Sequence, residues 1–229
     1  MLLYNEDKKK ITIRTNEDNF IDKGLYGSVY RTSALTCAKV YRNSPSPIEV
    51  NPKILKTIRE LSLKNFYEIY DLLYTKNDKF KGYLMKYYDK FDIDILTTPT
   101  DYTLDNLYIL RDSILKLTSS NIWTFDLHTD NVILGESTIT VIDADLYTFN
   151  SSYTAKGLEV KNIKAVNNLF FNLYIDAMSK NHKEYSSPTT NEAIHNLFSG
   201  ITEEKTHSIT KKLMKYKYPI DYLKAINKK

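Results

Sequence analysis

The sequence predicts an α+β fold whose first part is rich in strands and whose remainder is mainly helical. Three observations carry that prediction. Before residue 88, β-branched and aromatic residues crowd into short stretches. After it, apolar residues recur at helical spacing. Polar, Pro-rich and Gly-containing turns separate the segments in both parts. The 229 residues, 42% hydrophobic and 13% aromatic with six Gly and six Pro, suit a sizeable buried core. They exclude a collagen-like or broadly disordered chain.

Taken in order, Ile11-Thr12-Ile13, Ser28-Val29-Tyr30-Arg31 and Thr36-Cys37-Ala38-Lys39-Val40-Tyr41 read as strands, because such side chains fit a pleated, half-buried surface. Ser44-Pro45-Ser46-Pro47 breaks the pattern. A helix is expected next. Asn51 suits the N-cap, Pro52 the first turn, and Ile54, Leu55, Ile58 and Leu61 share one face. Strands over 66–74 and 82–88 follow, joined by the polar turn Thr75-Lys76-Asn77-Asp78-Lys79.

Leu104, Leu107, Tyr108, Leu110, Ile114, Leu115 and Leu117 describe an amphipathic helix ending near Ser119-Ser120-Asn121. Val132-Ile133-Leu134 and 138–142 form a tight hairpin across Gly135-Glu136-Ser137. From Leu158, a second stripe runs through Ile163, Val166, Leu169, Phe170, Leu173 and Tyr174, and weaker helices are expected over 190–198 and 205–227. The division implies two lobes, 1–88 and 89–229, with the natural ligand cleft between them.

Composition also excludes function classes. The net charge is +4, yet 27 of the 32 basic residues are lysine. Arginine is the bidentate reader of phosphate and guanine, so the balance argues against nucleic acid. Residues 201–229 hold eight Lys and three acids, which makes the surplus local and reads as a solvated face. The 19 tyrosines are spread at core spacing, without an RNA-binding signature. Cys37 stands alone, so there is no internal disulfide framework, and four histidines leave little for a zinc cluster. Apolar runs reach only four residues, which excludes a membrane span, and no apolar block follows the basic start. A reducing cytoplasm is the expected compartment. No Gly-x-Ser-x-Gly elbow or His-Glu-x-x-His pair is present.

Four separated elements carry chemistry. Gly24-Leu25-Tyr26-Gly27-Ser28-Val29-Tyr30 lies between strand-like runs, where glycines let a backbone approach phosphates or simply make a turn. Lys39 sits in mid-strand, a position more often solvent-facing than ligand-binding. Phe125-Asp126-Leu127-His128-Thr129-Asp130-Asn131 is followed at once by an apolar strand. Its spacing can hold one carboxylate toward a hydroxyl proton and an amide oxygen toward a divalent cation. Val141-Ile142-Asp143-Ala144-Asp145 ends the returning strand with a hard oxygen ligand suited to Mg²⁺.

This ordered set resembles the protein-kinase-like superfamily over roughly residues 10–150. The resemblance implies a small, antiparallel β-rich N-lobe (1–88) with one main helix and a hinge near 85–88. It implies a short, mainly helical C-lobe (89–229) with a catalytic loop at 124–131 and a metal-binding strand end at 141–145. It further implies ATP and Mg²⁺. Gly24, Gly27 and Val29 would cover the nucleotide, with Met85 and Tyr87 at the hinge. Lys39 would pair with the phosphates, Asp126 would serve as base, and Asn131 and Asp143 would hold Mg²⁺. Lys39 should also meet a helix glutamate, Glu49 in preference to Glu60. The acceptor would be a protein Ser/Thr or another hydroxyl. The loop Asp126-Leu127-His128-x-x-Asn131 is also similar to that of aminoglycoside and choline phosphotransferases, members of the same superfamily, which take small-molecule acceptors.

The pattern also departs from that family. Asp22 replaces the first loop glycine, Cys37 replaces the alanine that packs on adenine, and Thr124-Phe125 replaces His-Arg. Asp143-Ala144-Asp145 keeps one residue of Asp-Phe-Gly, no Ala-Pro-Glu segment follows, and 86 residues remain. A pseudokinase acting as a binding module is therefore the rival reading. Asp145 is open between roles that include a second cation ligand. His128 suits a phosphate, the base or a purely structural bond. Asp89, Asp92 and Asp94 read as a helix start before a ribose contact.

Overall fold

The computed structural model describes residues 1–42, 50–198, 212–213 and 215–228. Its first 86 residues supply seven strands: β1 (Leu2–Tyr4), β2 (Lys10–Thr12), β3 (Phe20–Lys23), β4 (Gly27–Arg31), β5 (Thr36–Tyr41), β6 (Ile69–Tyr74) and β7 (Phe80–Lys86). They form one antiparallel sheet in the order β2-β1-β6-β7-β5-β4-β3. β5 is an interior strand between β7 and β4, and Cys37, Ala38, Lys39 and Val40 are all buried. Alternation sorts them: Ala38 and Val40 join Leu3, Ile13 and Leu73 on one face, while Cys37 belongs to the main core on the other. Lys39 is thus buried in mid-sheet rather than solvent-facing.

Helix α1 (Pro52–Leu61) starts where its sequence dictates. Asn51 Oδ1 accepts from Lys53 N at 3.0 Å, and Pro52 loses nothing at a position with no intrahelical donor role. Ile54, Leu55 and Ile58 are buried, each contributing on the order of 1.5–3 kcal/mol of transfer free energy. Ser62 and Asn65, at φ 46° and 57°, then turn the chain sharply. The next segment is not yet β6. Val141 N donates to Asn65 O at 2.9 Å and Tyr67 N to Val141 O at 2.8 Å, a parallel bridge. The expected strand over 66–74 therefore begins only at Ile69. The 82–88 strand lies two residues earlier, at Phe80–Lys86.

Among the described residues the rest of the chain adds four helices, α2 (Thr100–Ser119), α3 (Ala155–Asn181), α4 (Pro188–Phe198) and α5 (Pro219–Ile226). It also adds two small ribbons, β8 (Ile122–Trp123) with β11 (Thr148–Phe149), and β9 (Val132–Leu134) with β10 (Ile139–Val141). α2 and α3 pack together through the apolar stripes read from the sequence. The fold is α+β, and one apolar core runs from Ile54 and Tyr83 to Leu110 and Phe170.

Three further expectations change. Residues 89–94 have no regular secondary structure and form no helix start; Asp94 Oδ1 caps a turn through Leu96 N at 2.9 Å, and α2 begins at Thr100. The helix expected over 205–227 is confined, among described residues, to the short run at 212–213 and to α5, since Pro219 is accommodated only in a first turn. That part of the basic tail is docked rather than solvated. Thr100 N donates to Lys217 O and Ile220 N to Leu96 O, both at 3.0 Å, with Ile220 and Leu223 buried. The breaker at 44–47 and Glu49 lie outside the described residues. Among the described residues no helix is long and apolar enough to cross a membrane.

Candidate active site

β5 and the turn after β10 bring three charges together. Lys39 Nζ lies 2.5 Å from Asp143 Oδ2 and 2.7 Å from Asp145 Oδ2. Asp145 is buried; Tyr41 OH donates to its Oδ1 at 2.6 Å and Tyr83 OH to the same atom at 3.5 Å. Among the described residues its Oδ2 has no hydrogen bond, only the ionic contact with Lys39. Asp143 sits in the left-handed region at φ 62°, unusual for a residue with a Cβ and a form of strain that concentrates at functional sites. Ala144 N donates to Tyr67 OH at 3.4 Å, which pins the turn from below.

The electrostatics follow from burial. Desolvation works against the Lys39 ammonium, but Asp145 and Asp143 together raise its pKa. Burial pushes the Asp145 carboxyl up to about 6, with Lys39 opposing and Asp143 adding repulsion. Burial first, then Asp145, also raises Tyr41 and Tyr83, so both stay protonated as donors. Two carboxylates against one ammonium leave a negative excess.

The loop 124–131 presents the second group. Asn131 Nδ2 donates to Asp126 O at 3.0 Å and to Asp126 Oδ2 at 3.1 Å, and lies 3.1 Å from His128 Nε2. His128 Nε2 is 3.5 Å from Asp126 Oδ1. Burial raises the Asp126 pKa, and the charge of His128 and the Asn131 bond oppose it. Ile142 N donates to Asn131 O at 2.8 Å, which sets Asn131 beside the residue preceding Asp143. The loop is anchored by Asn162 of α3, whose Oδ1 accepts from Thr124 N and Oγ1.

Whether these residues suit Mg²⁺ can be tested on their donors. Asn131 commits its amide nitrogen to Asp126, leaving the oxygen end as acceptor. Asp143 is 33% exposed where Asp145 is 1% exposed, so Asp143 is the accessible carboxylate. Hard oxygens and uncompensated negative charge fit the ion. Among the described residues no group of three His, Cys, Asp or Glu could hold a metal alone, so phosphate oxygens would complete the shell.

The remaining predicted residues lie around the sheet. Gly24 is exposed, and its carbonyl accepts from Arg42 Nη2 at 2.9 Å. Gly27 is buried in β4, where a Cβ would stand 2.7 Å from Val40 O; there the missing side chain serves strand packing. Val29 pairs with Lys39 in register, and Met85 with Cys37. Tyr87 uses its amide on Leu35 O at 2.8 Å, with the Arg31 guanidinium 3.5 Å over its ring. Glu60 is exposed on α1. The structure thus brings Lys39 to Asp143 and Asp126 to Asn131.

Sequence reasoning missed Tyr41, Tyr83, Tyr67 and Asn162. Tyr41 alone carried a signal, two residues from Lys39 on one strand face. Compared with known proteins, the chain matches no family model and no curated sequence.

Proposed function

We propose that the chain is an ATP- and Mg²⁺-dependent phosphotransferase with a bilobal protein-kinase-like fold, acting on a protein Ser/Thr or another hydroxyl. The observation that supports this best is the meeting of Lys39 with Asp143 across 104 residues of sequence. A buried lysine facing a strained aspartate, one hydrogen-bond step from Asn131, is a phosphate-and-cation arrangement. Lys39 orients the triphosphate. Asn131 and Asp143 would hold Mg²⁺, which when bound neutralises phosphate charge. Asp126, kept in place by Asn131 Nδ2, accepts the acceptor's hydroxyl proton. Catalysis of this kind is mainly positioning and electrostatics, with the base adding on the order of 10²–10⁴-fold.

The test is transfer of labelled γ-phosphate to proteins, to small alcohols and to aminoglycoside- or choline-like acceptors. Asp126→Asn should abolish it without loss of fold. If no acceptor is labelled and Asp126→Asn changes nothing, the reading fails. A non-catalytic nucleotide-binding module is the second reading, favoured by Asp143-Ala144-Asp145, whose second carboxylate is buried against Lys39. Thermal stabilisation by Mg·ATP with no turnover would select it.

A further inference from the structure

Lys39 and Tyr41 lie two apart on β5 and share a face, and Tyr83 is the cross-strand partner of Lys39 on β7. The sheet thereby builds a receptor of one ammonium and two hydroxyls. A single carboxylate, Asp145, fills it. Both oxygens are covered, Oδ1 by Tyr41 and Tyr83 and Oδ2 by Lys39. A cation ligand needs an open oxygen, and Asp145 has a 1% exposed side chain. Asp143, on the accessible side, is the one free to turn to a cation. Within α1, the candidate Glu60 is exposed, and among the described residues the ion pairs of Lys39 run to Asp143 and Asp145.

We propose that Asp145 is the positioning residue for Lys39. It is a fixed counter-ion that holds the ammonium toward nucleotide phosphates, in the place a helix glutamate would take. The proposal rests on the phosphotransferase reading for its purpose, but the pairing itself does not. Lys39 keeps Asp145 when Asp143 is engaged elsewhere, and movement of α1 does not release it.

The pairing is tested by melting Lys39→Met, Asp145→Asn and the double variant. Each single change strands one buried charge and should lower Tm clearly; the double change removes both and should recover much of the loss. Additive losses overturn the pairing. If Asp145→Asn does not fold alone, a cooperatively melting double variant supports it, and an unfolded one overturns it.

The positioning role is read by calorimetric titration of ATP with and without Mg²⁺. Asp145→Asn should weaken nucleotide binding by roughly tenfold to a hundredfold in both conditions. Within the Lys39→Met background the same change should have no further effect. A loss seen only with Mg²⁺ makes Asp145 a cation ligand and overturns the role. So does a loss in Glu49→Gln with none in Asp145→Asn. If the unaltered protein binds no nucleotide, the phosphotransferase reading falls and takes the positioning role with it, while the melting cycle still decides the pairing.

Discussion

Asn162 Oδ1 accepts two hydrogen bonds from Thr124, one from its backbone amide at 3.0 Å and one from its hydroxyl at 3.1 Å. Its Nδ2 donates to Thr118 Oγ1 and to Ile122 O, both at 2.9 Å. One fully buried amide of α3 thus closes the end of α2, β8 and the entry to the loop bearing Asp126. All its donor and acceptor capacity is used. Asn162→Leu keeps the γ-branched shape but strands Thr124 N and Ile122 O, at roughly 1–3 kcal/mol each. The expected loss is about 2–4 kcal/mol, a Tm lower by roughly 5–15 °C in scanning calorimetry. An unchanged Tm would show the loop to be held by other contacts.

The glycines divide by mechanism. Gly82 has φ +154°, and an added Cβ would stand 2.0 Å from Lys39 O; Gly27 would meet Val40 O at 2.7 Å. Neither obstacle is a side chain that can swing away. Gly24 has open space, with nothing nearer than Gly27 O at 3.9 Å. Gly82→Ala and Gly27→Ala should therefore lower the urea midpoint, Gly82→Ala by the larger amount, on the order of 3 kcal/mol or more. Gly24→Ala should leave the midpoint in place and alter only nucleotide affinity. Equal midpoints for all three variants would contradict this division.

The same positions show what sequence carries. β5 is legible to the residue, because six consecutive side chains suit a strand and the turns on either side are polar. The start of α1 is legible because Asn51 and Pro52 act locally. The hairpin at Gly135 is also local, Gly135 N donating to Thr138 O at 2.7 Å. β1 escapes because three residues make no periodicity; its partner β2 and the register with β6 decide it. Segment 65–67 is apolar enough to read as strand but is captured by Val141, some 75 residues on. The chemistry behaves alike. Asp126 and Asn131 are close in sequence and were visible as a pair. Lys39 with Asp145, and Asn162 with Thr124, depend on register and helix packing that no local spacing records.

Cys37 is 3% exposed, and burial pushes its thiol up to about 11, with Arg31 opposing. Thiolate is the reacting form, so the folded protein should resist a thiol-specific disulfide reagent at pH 8 and react fully in denaturant. Labelling then reports opening of β5 and β7, which Cys37 and Met85 join in register. On the proposed reading, Mg·ATP should slow labelling further, roughly in proportion to its stabilisation of the fold. Immediate labelling of the native protein would show that this strand pair opens readily.

Asp126 gives the pH dependence. Burial raises its pKa above the usual carboxylate value, and the His128 charge is the leading opposing influence. A base must be unprotonated, so transfer should fall as pH drops through the raised pKa, placing the acidic limb of kcat/KM above that of an exposed aspartate. His128→Gln removes the opposing charge, Nε2 lying 3.5 Å from Asp126 Oδ1, and should move the limb to still higher pH. For stability the same upward shift acts in the opposite pH direction. A folded pKa raised above the unfolded one makes the contribution of Asp126 full below the unfolded value and progressively lost as pH rises through the folded one. Asp126→Asn should therefore be relatively more stable at neutral pH than in acid, by calorimetry at pH 4 and 7. A limb that stays fixed in His128→Gln would assign the pH dependence to another group.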